Sequence, residues 1–217
     1  MTTSNSNRTV LDQVRALAPT HSLTQSEAYY LAEQQATHLL RLLDITGPHV
    51  SYDRLLELPN IEVKPEPKYR MRHAGLSRYQ DGTWLIRIDK NDVHGRRRFT
   101  LGHEFKHLID DPMVRTIYAD LGYGDPHERE RQIEALCQYF AACFLMPREW
   151  VTAAWLNGIR DVYNLAALFQ VSASAMHIRL KYLGLWDGDA DRDAHSYFRS
   201  VHPDKRTPPG KRLLDRV

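Results

Sequence analysis

Near the middle of the chain, His103-Glu104-Phe105-Lys106-His107 sets two imidazoles four residues apart, with a carboxylate beside the first. On a helix, positions i and i+4 stack one above the other, so both rings can reach one cation. An imidazole nitrogen binds Zn²⁺ at about 2.0–2.1 Å, and a catalytic zinc takes three protein ligands and keeps one position open. Glu104 leaves the helix at an angle that puts its carboxylate beside that position rather than on the ion. There it can take a proton from a water acidified by the metal and later pass it to a leaving amine. These residue types point to metal-assisted hydrolysis with Zn²⁺, another divalent metal such as Mn²⁺ also being compatible with the donors. Two surface histidines on an ordinary helix are the plain alternative, but that reading leaves Glu104 without a task.

The third ligand must come from outside the pentad, and the candidates are Asp110, Asp111, His127, Glu128, Glu130 and Glu134. Asp110 and Asp111 follow the helix too soon to bend back, and Glu130 projects from a first turn that frays. On the helix expected from Glu128 to Met146, the residues Ile133, Leu136, Cys137, Phe140 and Phe144 form an apolar stripe. Glu134 sits at the flank of that stripe and should be half buried, which is costly for an acid without a partner such as a metal. Gln138, one turn on, is placed to hydrogen-bond a ligating histidine.

The elements that position these groups follow from local pattern. A helix starts at the capping box Thr24/Glu27 and runs to about Leu43, and a short one covers Tyr52 to Leu58. Ile61-Glu62-Val63, Ala74 to Tyr79 and Thr83 to Asp89 read as strands, the last two flanking the turn Asp81-Gly82, so a small antiparallel sheet is expected. Helices follow at Arg96–Ile109 (the pentad), Glu128–Met146 and Arg148–Leu156, and a shorter pair spans Val162 to Leu183. The fold class is α+β. The expected division is a flexible N-terminus over 1–20, a core over 21–157, a helical unit over 158–186 and a polar, mobile tail over 187–217.

Composition narrows the classes. The chain has 217 residues, 42% hydrophobic and 26% charged, with a net charge of +2. Its balance is too neutral to argue for nucleic acid on charge alone. The longest apolar run, Phe140 to Met146, is far short of the roughly 20 residues that span a bilayer. Cys137 and Cys143 lie about 9 Å apart along one helix, too far for a disulfide. A reducing cytoplasm is the expected location.

Arg98-Phe99-Thr100-Leu101-Gly102-His103-Glu104-Phe105-Lys106-His107-Leu108, followed by the run from Glu134-Ala135-Leu136-Cys137-Gln138 to Leu145-Met146-Pro147, resembles the ImmA/IrrE family of bacterial and phage metallo-endopeptidases. The resemblance covers roughly residues 25 to 185. It implies a zincin-like metallopeptidase core, zinc held by His103, His107 and Glu134, and Glu104 as general base. It also implies a protein substrate, a helix-turn-helix transcriptional repressor whose cleavage derepresses stress, phage or mobile-element genes. Phe105-Lys106 replaces the family's usual Leu-Gly, Gln138 its Asn and Gly102 its common Ala, which bears on packing and substrate rather than on the metal.

Asn164 to Leu180 resembles a helix-turn-helix, with Val171 in the turn and Ser172 as N-cap of the second helix. Its would-be reading face, Ala173, Ser174, His177 and Lys181, lacks the Arg and Asn that make bidentate base contacts. DNA binding is therefore not favoured over a helical hairpin packed beside the active site. Substrate is expected to add as a strand along an exposed sheet edge, with Thr83 to Asp89 the candidate and an internal strand the alternative. Tyr118 or Tyr123, in the loop from Asp111 to Pro126, could donate to the oxyanion. The second functional reading is a non-proteolytic regulator or antitoxin-like binding module with a structural metal site.

Overall fold

The computed structural model describes residues 9–67, 77–80 and 83–186, the backbone alone being described for 77–80. The elements run α1 (Val10–Arg15), α2 (Gln25–Leu42), α3 (Asp53–Leu56), β1 (Ile61–Glu66), β2 (Ser77–Gln80), β3 (Thr83–Asp89), α4 (His94–Asp110) and α5 (Val114–Ile117). After a short 3-10 turn, Leu121–Gly124, come α6 (Pro126–Leu145), α7 (Arg148–Leu156), α8 (Val162–Phe169) and α9 (Ala173–Tyr182). The tail over 187–217 and the Asp81-Gly82 turn lie outside the described residues. Among the described residues no helix is long and apolar enough to cross a membrane.

Local chemistry accounts for the helix starts. Glu27 and Thr24 close the expected capping box at α2, and Asp125 caps α6 ahead of Pro126, a residue preorganised for a first helical turn. The N-terminal expectation is corrected from residue 10 onward. Thr9 and Asp12 form a second capping box, Val14 is fully buried, and Arg15 donates to the carbonyls of Leu108 (2.6 Å) and Ile109 (3.1 Å). Those carbonyls belong to the last turn of α4, which has no intrahelical donors left for them. α1 thus caps the helix that carries the pentad.

The sheet is mixed rather than antiparallel, in the order β1-β3-β2. β2 pairs antiparallel with β3, whereas β1 runs parallel to it with Ile61 opposite Trp84. β3 is therefore the central strand, not an edge, and Ile86 is fully buried in the main core. β2 and β3 are separated by only two residues, a spacing that favours antiparallel pairing, but nothing local dictates the direction of β1.

α4 lies between the sheet and α6. Its expected apolar side is buried throughout: Leu101 5%, Phe105 1%, Leu108 and Ile109 0% exposed. Opposite it, α6 buries Leu136, Cys137, Phe140 and Phe144. α8 and α9 share this core through Leu165, Phe169, Met176 and Leu180. Gln170 ends α8 in the left-handed region (φ 52°), and Ser172 caps α9 by accepting from the Ala175 amide at 3.1 Å. Arg98 on α4 donates to the carbonyls of Phe169 and Gln170, and Arg179 on α9 donates to that of Met146. His177 turns inward against Trp186, 8% exposed, so it is lost to any reading face.

Lys106 is fully buried where α4 meets Gln35 of α2 and the segment at Tyr118. Its ammonium donates to Asp110 (2.6 Å), Gln35 (2.7 Å) and Tyr118 (3.1 Å), and the Tyr118 hydroxyl donates to the other Asp110 oxygen at 2.7 Å. A dry ion pair is costly to break from one side and cheap to replace whole. Lys106→Met is accordingly expected to cost about 3 kcal/mol by urea unfolding, and Lys106→Met with Asp110→Leu to recover most of it.

Candidate metal centre

α4 sets His103 and His107 one turn apart, and α6 crosses it close enough to deliver a carboxylate. The two Nε2 atoms are 3.3 Å apart, and Glu134 places Oε2 3.2 Å from that of His103 and Oε1 3.2 Å from that of His107. Tetrahedral coordination with bonds of about 2.0–2.1 Å separates donor atoms by about 3.3 Å. Glu134 turns a different oxygen to each ring, so the two nitrogens and the carboxylate surround one point at spacings that suit one Zn²⁺-sized ion. The chemistry of the donors agrees: two nitrogen lone pairs and an anion aimed at one point suit a dication better than a single shared proton. The side chains are 15%, 28% and 47% exposed for His103, His107 and Glu134, so the carboxylate is half buried, as its place on the helix flank requires.

Electrostatics show how strongly the cluster is coupled. Hydrogen bonds from His103 and then His107 hold the Glu134 carboxyl far below the usual carboxylate range. Burial opposes the His107 cation, but the hydrogen bond and charge of Glu134, helped by Glu104 and Asp110, outweigh it and raise its pKa. Glu104 itself is 6% exposed, with Oε1 3.9 Å from His103 Nε2, beside the cluster and not on it. It faces a cleft of about 280 Å³ whose walls include Asp89, Asp92, Arg96, Phe99, Thr100 and Gln138.

The other sequence candidates lie elsewhere. Asp110 belongs to the Lys106 pair, Asp111, His127 and Glu130 are exposed, and Glu128 is paired with Arg131 and Gln132. Tyr118 is fully buried in the Asp110 network, not in the cleft, and its phenol pKa is driven up by that burial and the adjacent acid. Tyr123 is 96% exposed in a left-handed turn (φ 48°). Neither tyrosine lines the cleft beside Glu104. Gln138 lines the cleft as an exposed residue, and the group that meets the second nitrogen of His107 is Cys137, with Sγ 3.7 Å from Nδ1. On α6, four residues on from Glu134 rotates to the cleft side and three residues on to the core side. The sequence pattern read Cys137 only as part of an apolar stripe.

The profile of the IrrE N-terminal-like domain (Peptidase_M78) matches residues 58–181, from the end of α3 into α9. The chain belongs to this family. M78 peptidases are metal-dependent, and the matched segment contains both histidines and Glu134. No curated protein matches the chain. Among solved structures, a Mycobacterium tuberculosis transcriptional regulator is similar over 80% of this chain and 52% of its own, with a TM-score of 0.58 and 16% identity. That likeness is one of fold, and the chain spans about half the length of that protein.

The sign of the pH dependence follows from the two shifts. Glu134, depressed, contributes stability that is present above its ordinary value of 4.5 and is lost as pH falls. His107, raised, contributes stability that is present below 6.5 and is lost as pH climbs through its folded value. The ion-free cluster is thus most stabilising between those limits, whereas metal capture needs neutral imidazoles and strengthens with pH. Chelator competition is expected to show Zn²⁺ binding tightening about tenfold or more from about pH 5.5 to 7.5. Zn²⁺ at a hundredfold excess over Kd should stabilise the wild type by about 2.7 kcal/mol, and Glu134→Ala should lose most of that gain.

Proposed function

We propose that this member of the IrrE N-terminal-like family is a zinc-dependent endopeptidase that cleaves a specific partner protein in the cytoplasm, a helix-turn-helix transcriptional repressor. The observation that carries the reading is the gathering of His103, His107 and Glu134, with nitrogen–oxygen and nitrogen–nitrogen distances of 3.2–3.3 Å, beside a Glu104 carboxylate oxygen 3.9 Å from His103 Nε2. A structural metal needs ligands but no adjacent base, so the position of Glu104 favours hydrolysis over a purely architectural ion.

The dication, when bound, supplies Lewis acidity to water and to a carbonyl oxygen. The chain's own residues do the rest. His103, His107 and Glu134 hold the ion, and the coupling among them fixes the rings. Glu104 is placed to take the proton of the attacking water at one carboxylate oxygen and to return it to the departing amide nitrogen. The cleft beside it receives the peptide, with the Phe99 ring and the polar groups of Asp89, Asp92 and Arg96 as its walls.

The regulatory side rests on the family and on the fold shared with a transcriptional regulator. α8 and α9 are held to the core by Arg98 and Arg179, and His177 is buried. This favours a helical hairpin that packs beside the active site over a DNA reader. A non-proteolytic regulator is the competing reading, and one variant separates the two. Incubated with repressors encoded beside the gene, the zinc-loaded wild type should yield discrete fragments by mass spectrometry. Glu104→Gln should keep Zn²⁺ and lower kcat/KM by about 10²–10⁴-fold. Equal effects of both proteins on the repressor would mean that proteolysis is not the mechanism.

A further inference from the structure

α6 touches both nitrogens of one imidazole. Glu134 Oε1 lies 3.2 Å from His107 Nε2, and Cys137 Sγ, one turn further along the same helix, lies 3.7 Å from His107 Nδ1. We propose that Cys137 is a positioning residue: its sulfur accepts from the Nδ1–H of His107 and holds the ring with the Nε2 lone pair directed at the metal site. The inference rests on the metal reading above and adds a residue to it.

A neutral imidazole that ligates through Nε2 must carry its hydrogen on Nδ1, so whatever accepts that hydrogen selects the tautomer and the ring orientation. Carboxylates, backbone carbonyls and waters are the usual acceptors. Here the neighbour is a fully buried thiol. A neutral sulfur is a weak acceptor, but it is dry and its place is set by packing. Its burial also removes the other roles open to a cysteine, since a thiol with no exposure reaches neither the cleft nor a substrate. The spacing explains why one helix suffices: residues three apart on α6 straddle the ring and grip it from opposite edges.

The test uses the full chain and reads zinc affinity by chelator competition, together with the ¹⁵N imidazole spectrum at about pH 8.5 of the metal-free protein and its Cys137 variants in a Glu134→Ala background, where no carboxylate competes for the Nε2 hydrogen and free imidazoles are neutral. Cys137→Ala should weaken Zn²⁺ binding about tenfold, the low end for loss of an outer ligand-supporting partner, and let His107 populate both tautomers. Cys137→Ser, which keeps an acceptor, should restore the Nδ1–H tautomer and most of the affinity. Cys137→Val, which fills the volume without accepting, should behave like Ala and serves in its place if Ala does not fold. Wild-type affinity together with an unchanged tautomer in the Ala or Val variant overturns the proposal. Failure of the wild type to bind Zn²⁺ at all would instead sink the metal reading, and the tautomer spectrum would still decide the role of Cys137.

Discussion

The site depends on how closely α4 and α6 approach. Gly102 faces Ala141 at the crossing, where an added Cβ on residue 102 would lie 3.3 Å from the Ala141 Cβ and 2.7 Å from the Tyr52 hydroxyl. Small residues at a helix crossing let the axes come nearer than the usual 8–10 Å. Glu134 sits two turns before Ala141 on the same helix, so any widening there is carried to its carboxylate. Donor atoms that must meet within about 0.2 Å of ideal spacing leave little tolerance for such a shift. The Gly in place of the resembled family's Ala is thus a packing choice made at the point that sets how near Glu134 comes to the two histidines.

Around that crossing the chain adds buried charge to an extensive apolar core. Arg15 caps the C-terminal turn of α4, Arg98 anchors its first half to the end of α8, and Arg179 reaches from α9 to the carbonyl after α6. Glu33 on α2 joins Arg148, Arg179 and Tyr139 into one further cluster. Hydrogen bonds from charged groups contribute about 1.5–3 kcal/mol each, against a desolvation penalty of several kcal/mol per buried ion. Their net effect on stability is small. Their geometric effect is large, because a guanidinium aimed at particular carbonyls permits one register between helices where an apolar face tolerates several.

How far the residue pattern alone disclosed this varies with the range of the interaction. The pentad helix, the helix expected from Glu128 and the half-buried place of Glu134 on its flank were readable because each rests on helical periodicity, and Ser172 because a cap is a contact between neighbours. The direction of β1 was not readable, since its partner β3 lies beyond an intervening strand and no turn couples them. α1 escaped because six residues with one buried Val14 carry little periodicity, and their main role is a contact with carbonyls more than ninety residues away. In the sequence Tyr118 reads as a loop residue that could donate to the oxyanion. Its partners, Lys106 and Asp110, lie on another element, so only the tertiary fold shows it as fully buried.

The same reasoning resolves the departure inside the pentad. A helix that presents His103, Glu104 and His107 to a cleft turns the two intervening residues toward the core, so Phe105 and Lys106 are packing positions. Phe105 behaves as one, 1% exposed among the apolar residues of the main cluster. Lys106 can be there only because Asp110 comes one helical turn later and Gln35 and Tyr118 close around the ammonium. The substitution is therefore one member of a four-residue set, two of which, Gln35 and Tyr118, lie outside α4. Its influence runs through the seating of α4 against α2 and the segment around Tyr118. The shape of the cleft is set by different residues, those between Asp89 and Thr100 and Gln138 on α6, which line the other side of the helix.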